Sequence, residues 1–117
     1  MTREEIFQYT QGKYGTKPEY LWKKYPQYAV LRHQQNRKWY AIIMDVKSEN
    51  LGLEGNKIED IMDIKLNPET VDILQSEKGF LPAYHMNNSN WISIRIDLVD
   101  NDQICNFIDA SYELTGK

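Results

Sequence analysis

The first residues alternate polar and apolar at a helical period. Thr2 and Glu5 have capping-box spacing, in which the hydroxyl and the carboxylate each satisfy the other residue's backbone amide. Ile6, Tyr9 and Thr10 then form a buried stripe that Gly12 or Gly15 can end. Residues 16–27 carry Pro18 and Pro26 and have no period, so they predict a wrapping loop held by Tyr20, Trp22 and Tyr25. A hairpin follows. Tyr28 to His33 is one strand, "QQNR" is the turn with Asn36 at positive φ, and "KWYAIIMDV" returns with apolar residues on both faces, as a mid-sheet strand requires.

After the polar "KSENLGLEGN", Ile58, Met62, Ile64 and Leu66 point one way while Glu59, Asp63 and Lys65 point the other. Asn67-Pro68 starts a short helix that turns Val71, Ile73 and Leu74 to the sheet, and Gly79 closes it. In the next strand Ile92, Ile94, Ile96 and Leu98 face the core, with Trp91, Ser93, Arg95 and Asp97 away from it. Asp100 and Gln103 form a second capping box. Ile104, Phe107, Ile108 and Ser111 line the closing helix, which runs to about Thr115. The order α-β-β-β-α-β-α predicts an α+β domain, a two-layer sandwich with an antiparallel sheet and its helices on one face.

At 117 residues the chain suits one domain spanning 1–117 with a core that needs no staples. No run approaches a membrane span, and "MTREEIF" lacks the order of a secretory signal. One cysteine, Cys105, allows no internal disulfide, so a cytoplasmic protein is expected. Charge changes the picture more. No acidic residue lies between Tyr20 and Met44, where Lys23, Lys24, Arg32, Arg37 and Lys38 sit among Trp22, Tyr25, Tyr28, Trp39 and Tyr40. Cations that displace counterions from phosphate, beside rings on which bases stack, are the composition of a nucleic-acid surface.

The stretch "GFLPAYHMNNSNWISIRI" adds candidate contacts: His85, Asn87, Asn88, Trp91 and Arg95. His85 has no second histidine at ligand spacing, no phosphate loop and no nucleophile elbow, so catalysis is not expected, nor a metal or another cofactor. Two functions lead, ahead of a third class, a small-molecule binder or enzyme centred on a pocket of Tyr84, His85 and Trp91. One is a binding domain that contacts DNA weakly and salt-sensitively. The other is an adaptor that meets a protein partner on the open sheet face through Trp91.

"TREEIFQY", "KWYAIIM", "IKLNPE", "GFLPAYHMNNSNWISI" and "LVDNDQICNFIDASYEL" occur in an order and spacing that resemble the MmcQ/YjbR family over nearly the whole chain. The specific part is Pro82, Tyr84-His85-Met86-Asn87 and Trp91. The resemblance implies a CyaY-like two-layer α/β fold and a DNA-binding role assigned from a double-wing arrangement of strands and loops. The hairpin "YPQYAVLRHQQNRKWYA" is richer in aromatic and basic residues than the family pattern leads one to expect.

Overall fold

The computed structural model describes residues 1–117. Helix α1 (Arg3–Tyr14) opens on the expected capping box, with Thr2 Oγ1 accepting from the Glu5 amide and Glu5 Oε1 from the Thr2 amide. It ends at Gly15 in the left-handed conformation. Strands β1 (Ala29–Arg32) and β2 (Trp39–Lys47) make the hairpin, and a short 3-10 turn (Ser48–Leu51) precedes β3 (Ile58–Lys65). Helix α2 (Pro68–Leu74), strands β4 (Phe80–Pro82) and β5 (Trp91–Arg95), and helix α3 (Asn101–Thr115) complete the chain. All pairings are antiparallel, in the order β1-β2-β3-β5-β4.

The expected α+β fold is therefore present, with β4 as an added strand. Three residues ending in proline are too short for any alternation to announce them. The hairpin turn also differs from expectation, because Arg37 rather than Asn36 takes positive φ. Asn36 instead accepts from the Lys38 amide and donates to the Thr115 carbonyl. Asp100 caps α3 through the Asp102 amide, without the reciprocal half of a box. Helix α2 ends at Leu74, and Ile73 and Leu98, both expected in the core, are exposed.

The main core lies between the helices and one sheet face, where Ile6, Val71, Ile104 and Ile108 meet Ile43, Met62, Ile64, Ile92 and Ile94. The other face is not open. Tyr28, Val30, Ile42, Met44, Val46 and Ile61 form a second cluster, covered by Trp22, Trp39, Tyr84 and Met86 from the loops and the β2 start. Trp91, expected to be exposed, is buried, and so are Ser93 and Asp63, expected on the solvent side. Strands with cover on both faces lose the in–out alternation that a half-buried sheet would show.

The chain's end is locked onto the hairpin. Buried His33 shares a hydrogen bond of 2.8 Å with Thr115 Oγ1, and its ring stacks 4.1 Å from that of Tyr112. Burial holds His33 below the usual imidazole range. The unfolded chain thus binds the proton more readily. The stability His33 contributes is complete above the unfolded value of about 6.5 and is lost as pH falls through the lower folded value. His33→Phe should keep more of its neutral-pH stability at about pH 5 than the parent does, in urea unfolding at both pH values.

Candidate functional site

The loops that cover the second sheet face also leave a hollow. Residues 16–28 are pinned at one end by a bridge in which the Glu19 and Val30 backbones exchange hydrogen bonds of 2.8 and 2.9 Å. Two successive turns follow, Tyr25 N–H to the Trp22 carbonyl and Tyr28 N–H to the Tyr25 carbonyl. They bring the rings of Trp22, Tyr25 and Tyr28 together over β1 and β2. Trp22 meets Tyr28 and Trp39 edge-to-face at 6.0 and 5.8 Å, while Tyr25 stacks on Tyr28 at 4.7 Å.

The opposite wall is the loop between β4 and β5. Asn87 Oδ1 accepts from the Ser89 and Asn90 amides, so the asparagine closes a turn in place of a backbone carbonyl. The Tyr84 amide donates to Ser93 Oγ at 2.9 Å, and Ser93 Oγ donates in turn to Asp63 Oδ1. Asp63 is fully buried and its Oδ2 has no partner, so burial pushes the carboxyl up to about 7. This relay anchors the loop at Tyr84. The next residue, His85, has φ 63°, a left-handed backbone that costs a non-glycine residue roughly 1 kcal/mol or more.

Between the walls lies a cleft of about 320 Å³. Trp22, Tyr25, Tyr28 and Trp39 line one side, Tyr84, His85 and Met86 the other, and Met44 the floor. Through Tyr25, Tyr28 and Tyr84 it shares walls with a second hollow of about 270 Å³, which is lined by Lys24, Asp45, Lys47 and Asn50. Burial, and then the neighbouring Tyr84, push the Tyr28 phenol up to about 12. Its hydroxyl stays protonated at neutral pH.

Three of the six candidate cations face carboxylates. Arg32 and Arg37 both pair with Glu19, at 3.0 and 3.2 Å, and Arg95 pairs with Glu59 at 3.0 Å. Lys38 reaches the Lys117 carbonyl at 3.3 Å. Lys23 and Lys24 are exposed and have no carboxylate partner. Trp91 is buried and offers no surface to a partner, so the open face expected for an adaptor does not exist. Of the loop residues, His85 lines the cleft, Asn87 serves the turn, and Asn88 is exposed.

Glu19 lies one residue outside the acid-free window and was therefore invisible to it, although the bridge to Val30 places it beside Arg32. Two-sided apolarity in β2 was the available signal for the cleft. Ile42, Met44 and Val46 needed a cover, which Trp22, Trp39, Tyr84 and Met86 supply.

A YjbR family model matches residues 11–114. The chain belongs to the YjbR family. A relative from Bacillus subtilis (strain 168), the uncharacterized protein YyaQ, is 47% identical over 116 residues, covering 98% of each chain. The crystal structure of a Pseudomonas syringae protein superposes with a TM-score of 0.95 at 42% identity, over 98% of this chain and 99% of that one. A Deinococcus radiodurans protein shares the fold at a TM-score of 0.76 and 16% identity, over 99% of this chain and 79% of its own. The MmcQ/YjbR resemblance in the motifs and the fold it implies are both met. This YjbR-family chain has no helix long and apolar enough to cross a membrane.

Proposed function

We propose that the protein is a non-enzymatic binding domain whose recognition site is the aromatic cleft between the 16–28 loop and the β4–β5 loop. One observation carries this reading: ring faces and two methionines converge on a hollow of about 320 Å³ whose wall includes a strained, non-glycine His85. Ligand sites are concave, mostly apolar and furnished with a few polar groups, and backbone strain concentrates at such sites. A flat apolar ring fits the walls, and stacking on aromatic side chains is worth about 1–3 kcal/mol per ring for a nucleobase.

Nucleic acid enters this reading as an unpaired base. A duplex tracked along the hairpin finds little support, since Arg32, Arg37 and Arg95 already face carboxylates. Lys23 and Lys24 remain to meet phosphate, so the salt slope of strand binding should be shallow, roughly −1 to −2 in log–log terms.

The test is a titration of the protein with single-stranded and duplex oligonucleotides and with free adenosine, followed by amide and indole NMR shifts. Shifts should centre on Trp22, Trp39 and Tyr84, with single strand preferred to duplex. Trp39→Ala should weaken binding by about tenfold or more. Shifts confined to Arg32, Arg37 and Lys38, with the cleft silent, would transfer the site to the hairpin and end this reading.

A further inference from the structure

The aromatic cleft does not stand alone. Its neighbour has a different chemistry: Lys24 and Lys47 stand at its edge without carboxylate partners, and Asp45 and Asn50 share the lining. The three formal charges sum to a single positive one. The two hollows meet along Tyr25, Tyr28 and Tyr84, and the Tyr28 hydroxyl is held protonated at that junction.

We infer that the two hollows form one bipartite site for a planar aromatic ring bearing a single anionic substituent, the ring lying in the aromatic cleft and the carboxylate or phosphate in the polar hollow between Lys24 and Lys47. This rests on the cleft's being the recognition site.

Each half explains what the other lacks. The aromatic half holds a ring but offers no lysine or arginine to meet an anionic substituent on it. The polar half alone is a pair of surface lysines, too open to select anything. Joined, they measure the distance from a ring to its charge. Lys24 follows two residues after Trp22, so one turn of the 16–28 loop supplies both a ring wall and a cation. Lys47 ends β2, the strand whose Met44 forms the cleft floor and whose Asp45 and Val46 share the lining of the polar hollow. Asp45 limits the excess to one charge, which matches one negative group per ring, a carboxylate or a single phosphodiester.

The chemistry has two natural sources, a nucleotide within an unpaired strand and a free aromatic acid, and both present a ring and one negative group at short range. Four probes separate the possibilities by NMR titration and calorimetry: naphthalene-2-carboxylate, its neutral carboxamide, the methyl ester of adenosine 5′-monophosphate (a monoanion) and single-stranded oligodeoxyadenylate. The carboxylate should bind about tenfold more tightly than the carboxamide at low salt. The double variant Lys24→Gln, Lys47→Gln should abolish that preference and leave carboxamide affinity unchanged. Both lysines are exposed, so the fold survives the change. Oligodeoxyadenylate binding more tightly than the methyl ester assigns the anion to a strand, and the reverse order assigns it to a free molecule.

Equal affinity for carboxylate and carboxamide, with Trp22 and Trp39 indole shifts intact, overturns the bipartite site and leaves the cleft standing. A preference that survives the double substitution overturns it too. If no ring-bearing probe shifts either indole, both readings fall together.

Discussion

Replacing Asp63 by asparagine should make the protein more stable in alkaline solution, by about 2 kcal/mol at about pH 9. Asp63 is fully buried, accepts one hydrogen bond from Ser93 and leaves Oδ2 without a partner. Its carboxyl is pushed up to about 7 by burial, from an ordinary value near 3.8. The folded state therefore holds the proton more tightly than the unfolded chain. Stability from the neutral acid is complete below the unfolded value and is lost as pH rises through about 7. The full difference between the two limits is on the order of 4 kcal/mol.

Asparagine keeps an acceptor for Ser93 and never ionises. Its amide group inherits the empty Oδ2 position, however, and an unsatisfied donor costs about 1–3 kcal/mol. The variant should gain at about pH 9 and lose that gain at about pH 5. Urea unfolding of both proteins at those two values checks it. Parallel stability–pH curves for parent and variant would show that Asp63 does not titrate with folding.

Gly79→Ala should lower stability by roughly 2–4 kcal/mol, for two separable reasons. Gly79 has φ 92°, where an L side chain is strained. A Cβ there would also stand 2.6 Å from Val99 Cγ2 and 3.4 Å from Leu98 Cβ, against the turn that follows β5. Its carbonyl accepts from the Arg95 amide at 2.8 Å, so the backbone cannot swing away without breaking the last rung of the β5 edge. For a domain this size the loss corresponds to a fall of about 10–20 °C in melting temperature. Gly55→Ala is the control, since Gly55 has φ 99° with nothing within 4 Å of an added Cβ. Equal losses in the two variants would assign the whole effect to backbone strain and none to Val99.

What the sequence made legible was the regular half of the molecule. The Thr2/Glu5 box, the Asn67-Pro68 helix start, the doubly apolar β2 and the stripe of Ile104 and Ile108 each rest on spacing a few residues long, and each is found in place. Binary alternation failed where a second layer was present. Trp91, Ser93 and Asp63 sit at positions that face solvent in a sheet with one bare side, but here aperiodic loops cover that side. A loop has no period to read, and the one trace of its docking in the sequence is the need of Ile42, Met44 and Val46 for cover. The cation-rich window hides a different kind of information. Charge counted along the chain misses a carboxylate brought in by a bridge, as Glu19 is to Arg32 and Arg37. The cleft combines both kinds of information. Its rings were visible as composition, and their convergence was not.

The sheet's outer rims have a further consequence, for crowding. Along β1, the Glu19 backbone occupies both hydrogen-bonding groups of Val30, while on the far side β4 is only three residues long and ends in Pro82, which has no amide to donate. Neither rim offers an incoming extended segment a continuous row of vacant groups to copy. Copies of the chain therefore find no edge on which to extend one another's sheet into a ribbon.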